Sequence, residues 1–188
     1  MHWACLPALE IIEKGKEVIT MGFFSKLFGK ADKTPAYNGN QLYAPICGKA
    51  VPITEVPDPT FAEGLLGNGI AILPTDGKIC SPVNGKIETM FDTGHAVALT
   101  SDTGVEILIH VGLETVALNG APFKLHCKNG DKVKKGQLLF EADLDAIKAA
   151  GLPTITPILV CNTDDYATFN TFVGKDVTND DIIIEVAK

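Results

Sequence analysis

His95 and His110 stand at the outer ends of two strand-like runs, Ala96-Val-Ala-Leu-Thr100 and Val105-Glu-Ile-Leu-Ile109, separated by Ser101-Asp102-Thr103-Gly104. A two-residue turn centred on Asp102 and Thr103 predicts position 95 opposite 110, 97 opposite 108 and 99 opposite 106. In that register His95, Val97, Leu99, Glu106, Leu108 and His110 share one partly solvated face. Ala96, Ala98 and Thr100 then pack inward against Val105, Ile107, Ile109 and Val111, small side chains facing large ones. A type I turn with Gly104 as a bulge residue shifts the register by one. Two imidazoles side by side suit two chemistries. They can ligate a metal, or one can carry a transferable group that the other steadies.

A closed zinc site needs three or four protein ligands. His126 is the only other histidine near these runs, and no HxH or HxxxD spacing links it to either partner. A metal held by His95 and His110 alone needs a ligand from a second molecule. Group transfer asks for less. A neutral imidazole is a competent nucleophile near neutral pH, and a second ring close by opposes its protonation. Thr93, two residues before His95, is placed to fix that ring's tautomer, and the carbonyl of Gly112 is placed to do the same for His110. No Walker loop and no GxGxxG is present, so a phosphoryl group has to arrive on another protein.

The elements that must position these residues read as all-β. Val/Ile-rich runs alternate with Gly/Pro/Asn/Asp clusters from Gln41 onward. Strands are expected over 42–44, 48–52, 69–74, 77–80, 85–90, 96–100, 105–110, 123–125, 137–142, 156–160 and 182–186. One short helix is expected over 143–150, closed by Gly151, and a helical turn over 61–66. Ala44-Pro-Ile-Cys-Gly-Lys49 echoes Ser81-Pro-Val-Asn-Gly-Lys86, which suggests a duplicated half. The expected class is an antiparallel β-sandwich of the barrel-sandwich, duplicated-hybrid type, with one or two short helices.

At 188 residues, 46% apolar and 21% charged, the chain can bury one sizeable core. Its net charge of -7 argues against nucleic acid as a partner. Cys5, Cys47, Cys80, Cys127 and Cys161 are odd in number and form no CxxC pair, so reduced thiols in a cytoplasmic protein are expected. Residues 1–20 read poorly as a signal peptide. Lys16-Glu17-Val18 can be encoded as AAG GAG GTN, a bacterial ribosome-binding sequence upstream of Met21. Translation is therefore expected to begin at Met21, with 1–20 a non-native extension. Residues 21–40 form an amphipathic tail and linker: Phe23, Phe24, Leu27 and Phe28 fall on one helical stripe beside Lys26, Lys30 and Lys33. Weak contact with anionic membrane through 21–33 is expected. Residues 41–188 form the domain.

Val105-Glu-Ile-Leu-Ile-His-Val-Gly-Leu-Glu-Thr-Val116 resembles the phosphorylation-site signature of the glucose-type IIA component (glucose/N-acetylglucosamine/sucrose family) of the bacterial phosphoenolpyruvate:sugar phosphotransferase system. The resemblance extends through 61–87, 91–97 and 130–151. It implies a phosphotransferase: a cytoplasmic monomeric carrier, working beside a membrane permease, that takes a phosphoryl group from the protein HPr and passes it to a cysteine on the permease's IIB domain. By resemblance His110 is the phosphoacceptor through Nε2, His95 the phosphate-stabilising ring, Thr93 the residue orienting His95, and Gly112 the carbonyl orienting His110. Phe61, Phe91, Leu108 and Val116 fall on the family's apolar docking patch. Glu114 stands beside it where Asp is usual, Gly94 replaces a common Asn, and Pro122 interrupts the usual run before Phe123. No cofactor is required, the phosphohistidine is transient, and zinc between His95 and His110 is optional at a partner interface. Regulatory partners are compatible with the family.

Two other readings compete. A lysostaphin-type zinc peptidase shares related β-architecture but needs an HxH pair and a distant HxxxD. A purely regulatory protein would use phosphorylation only to switch partners. The Gly130-Asp-Lys-Val-Lys-Lys-Gly-Gln137 turn resembles those of lipoyl and biotinyl carriers, yet no lysine sits in the context they require.

Overall fold

The computed structural model describes residues 39–188. The expected extension 1–20 and the membrane-contacting tail 21–33 lie outside the described residues. Fourteen strands run in the order β1 (Gln41–Tyr43), β2 (Gly48–Pro52), β3 (Asn68–Pro74), β4 (Lys78–Cys80), β5 (Gly85–Met90), β6 (Ala96–Ser101), β7 (Glu106–His110), β8 (Phe123–Leu125), β9 (Lys132–Val133), β10 (Leu138–Ala142), β11 (Thr156–Val160), β12 (Thr168–Thr171), β13 (Asp176–Val177) and β14 (Ile182–Ala187). The helices are α1 (Pro59–Ala62) and α2 (Leu144–Ala149). Asp143 caps α2 by accepting the Ala146 N–H at 2.9 Å. Asp58 caps α1, with Pro59 in its first turn, so that helix starts two residues before the expected 61–66.

An eight-stranded antiparallel sheet, β13-β2-β3-β11-β7-β6-β5-β9, faces two three-stranded sheets, β1-β14-β12 and β4-β10-β8. Alternation sorts the large sheet's side chains. Ile70, Ile72, Ile107, Ile109, Ile158 and Val160 enter the main core, together with Leu42, Ile184, Ile79 and Phe140 from the smaller sheets. On the other face Val51, Ala71 and Leu159 form a second cluster, roofed by Val56, Phe61, Leu113 and Ile155. The echoed turns bond to each other: the Tyr43 N–H donates to Pro82 O at 3.1 Å and the Cys80 N–H to Pro45 O at 2.7 Å. β9, β12 and β13 were not expected from sequence. Two are two residues long, and Thr-Phe-Asn-Thr in β12 carries no apolar alternation.

The β6–β7 register corrects the two-residue expectation. Ala96 pairs with His110, Val97 with Ile109 and Ala98 with Leu108. Gly104, at φ +90°, donates to Ser101 O at 3.0 Å, and Ser101 donates to Val105 O at 2.9 Å. The loop is therefore three residues, a turn followed by a glycine bulge, and it moves every pair by one. The two faces of β6 exchange, while those of β7 stay as expected. Val97 and Leu99 point into the main core with Ile107 and Ile109, and Ala96, Ala98 and Thr100 lie outside with Glu106, Leu108 and His110.

Candidate active site

His110 ends β7 on the outer face, beside the second apolar cluster. His95 lies just before β6, outside the regular ladder, where strict alternation no longer sets its direction. Gly94 turns the chain there at φ +68° and donates to Phe91 O at 2.7 Å. A Cβ at Gly94 would sit 2.8 Å from Phe123 Cβ, so the turn passes against β8 only as glycine. The rings meet with centroids 4.9 Å apart and planes at 76°. The His95 carbonyl also accepts from the Val111 N–H at 2.8 Å, tying the two segments together.

Each ring is held at Nδ1. His110 Nδ1 lies 2.7 Å from Gly112 O. A carbonyl only accepts, so Nδ1 carries the proton and neutral His110 presents its lone pair at Nε2. His95 Nδ1 lies 2.5 Å from Thr93 Oγ1. Burial, assisted by the neighbouring His110, pushes the His95 pKa down to about 4. Burial also lowers that of His110, against the raising effects of the Gly112 carbonyl and of the Asp58 and Glu114 carboxylates. Both rings are neutral at pH 7. That state suits a nucleophile and its neighbour.

The residues expected around the two rings lie as follows. Phe91 lies 5.4 Å from the His95 ring and is 39% exposed, and Val116 is 47% exposed. Leu108 is half-buried against the second cluster. Glu114 is exposed at the start of a 3-10 turn, Thr115–Leu118. Phe61 is 6% exposed and packs on the His110 ring at 5.3 Å, within the second cluster. His126 stands apart, paired with Glu141 at 2.7 Å. Among the described residues no third His, Cys, Asp or Glu joins the two rings as a metal-ligating group. The departures at Gly94 and Pro122 have plain local reasons. The left-handed φ and the close pass against Phe123 both call for glycine at 94, and Pro122 sits just outside β8, where its missing N–H leaves no ladder bond unmade. Sequence reading missed Asp58, whose Asp-Pro-Thr capping pattern was the available signal, and the buried Thr115.

An antiparallel sandwich that presents one imidazole lone pair, a second neutral imidazole beside it and an exposed apolar rim has the features of a protein-to-protein phosphoryl carrier. The profile of the phosphoenolpyruvate-dependent sugar phosphotransferase system, EIIA 1 family matches residues 40–166, and the chain belongs to that family. It is a phosphotransferase component of that system. The chain is 45% identical over 155 residues to a glucose-specific EIIA component of Bacillus anthracis, covering 82% of this chain and 92% of that one. It is 44% identical over 145 residues to a glucose-specific EIICBA component of Staphylococcus saprophyticus, covering 77% of this chain but spanning only 21% of that longer protein. Among solved structures, glucose permease IIA from Mycoplasma capricolum matches with a TM-score of 0.72 at 33% identity, over 77% of this chain and 93% of that one.

Proposed function

We propose that His110 accepts a phosphoryl group at Nε2 from the phosphohistidine of HPr and passes it to a cysteine on the IIB domain of a membrane sugar permease. The observation that carries this reading is the bond from His110 Nδ1–H to Gly112 O, which leaves Nε2 unprotonated. In the transfer the Nε2 lone pair attacks phosphorus, and the P–N bond to the donor ring breaks in line. The donor ring leaves with its electron pair. His95 steadies the phosphoryl oxygens. Its Nε2–H donates to them when Thr93 donates to Nδ1, and the anionic phosphoryl oxygens make that bond charge-assisted. Phe91 and Val116 supply apolar docking area, while Asp58 and Glu114 favour a donor with basic residues around its own histidine. The joining of EIIC, EIIB and EIIA in the Staphylococcus saprophyticus name supports a permease acceptor. No resident cofactor enters the cycle, and zinc between the rings needs a ligand from a second protein. Among the described residues no helix is long and apolar enough to cross a membrane, and the carrier works at the cytoplasmic face beside its permease.

The test is labelling with phosphoenolpyruvate, enzyme I and HPr, followed by transfer to IIB. His110→Ala is expected to take up no phosphate. His95→Ala is expected to take it up and pass it on poorly. Full labelling of His110→Ala overturns the assignment.

A further inference from the structure

Gly112 holds the carbonyl that decides where the His110 proton sits, yet it is a poor anchor by itself. It has a left-handed φ of +72°, and a Cβ there would lie 2.8 Å from Pro153 O, so the position admits only the most flexible residue. A glycine between two free peptide planes can flip either of them. Here both planes are pinned. The Leu113 N–H belongs to the same plane as the Gly112 carbonyl and points the opposite way. It donates to Pro153 O at 3.0 Å, which aims the carbonyl at His110. The preceding plane carries the Val111 carbonyl, buried with its residue. That oxygen accepts from the Thr115 hydroxyl at 2.7 Å. Thr115 is 0% exposed, so neither group has water to turn to.

We infer that Thr115 is a positioning residue for phosphoryl transfer: its hydroxyl locks the Val111–Gly112 peptide, and through the Gly112 carbonyl it holds the His110 proton on Nδ1. Thr115 touches neither ring. It acts through one peptide plane. Without the hydroxyl, the Val111 oxygen becomes a buried acceptor with no donor, and rotating that plane relieves it at the expense of the Gly112 geometry. His110 then samples the tautomer with its proton on Nε2, which has no lone pair to offer phosphorus. The effect on transfer rests on the role proposed for His110. The effect on the tautomer does not.

The experiment compares Thr115→Val, which keeps the shape and removes the hydroxyl, with Thr115→Ser, which keeps the hydroxyl. The imidazole nitrogen chemical shifts of His110 are read by NMR in the full chain at neutral pH, and phosphoryl uptake from phospho-HPr is measured beside them. Wild type and Thr115→Ser are expected to show the Nδ1–H tautomer and uptake rates within about twofold of each other. Thr115→Val is expected to show mixed tautomers and uptake slower by about tenfold. Unchanged His110 shifts in Thr115→Val overturn the inference, even if stability falls. Shifted tautomers with unchanged uptake leave it standing for the tautomer and count against His110 as the acceptor. Should Thr115→Val not fold, the wild-type spectrum still decides. A donating, buried hydroxyl must give a slowly exchanging Thr115 proton, and a rapidly exchanging one overturns the lock.

Discussion

Glu114 and Asn119 are the two non-glycine residues with left-handed φ among the described residues, at 57° and 50°, and both flank the 3-10 turn that follows His110. Asn tolerates that region because its short side chain bonds locally. Glu does not, and pays roughly 1–2 kcal/mol for it. Glu114→Gly is therefore expected to raise the unfolding free energy by about 1 kcal/mol, read from the urea midpoint at constant slope. An unchanged or lower midpoint shows that no strain is stored there. The same substitution removes a carboxylate that holds the His110 pKa up, so the titration midpoint of that ring should move further down.

At the scale of elements, two glycines separate conformational strain from steric exclusion. Gly104 closes the β6–β7 hairpin at φ +90°, with nothing within 4 Å of an added Cβ. Gly104→Ala is expected to cost about 1 kcal/mol, from backbone strain alone. Gly112 is left-handed too, but its Cβ would meet Thr115 Cγ2 at 2.6 Å and Pro153 O at 2.8 Å. Gly112→Ala must displace backbone and should cost about 3 kcal/mol or more. Chemical denaturation of both variants checks the ranking, and equal losses would contradict it. The hairpin also marks a limit of sequence reading. Its strands were legible from Val/Ile-rich runs, and Gly104 was visible as a bulge candidate. The choice between a two- and a three-residue loop rested on turn bonds at Ser101 that no periodicity reports. That choice moved Val97 and Leu99 from the outer face to the core. Phe61, nearly buried against the His110 ring, shows a related limit. An apolar residue near a site reads the same whether it lines the surface or roofs a cluster.

At the scale of the whole molecule, the two depressed histidines couple folding to pH. His95 titrates near pH 6.5 in the unfolded chain and at about 4 in the folded one. Between those values the unfolded state binds more protons, so stability rises with pH. The contribution is fully present above pH 6.5 and is lost progressively as pH falls toward 4. At pH 5.5 the loss from His95 is about 1.5 kcal/mol, and His110 adds to it in the same direction. Urea midpoints measured at pH 7.5 and 5.5 should show this drop, and the double variant His95→Gln/His110→Gln should remove most of it. A drop that persists in the double variant assigns the effect to other groups. Across the molecule the sequence by itself determined the all-β class, the two rings and their partners Thr93 and Gly112, because strand periodicity, turn residues and a motif of fixed spacing are local properties of the chain. Only the tertiary structure decided how the rings meet. A one-residue register shift, the turn at Gly94 and the peptide planes pinned by Thr115 and Pro153 are non-local or hydrogen-bonded facts, and they place His95 and His110 side by side on the outer face.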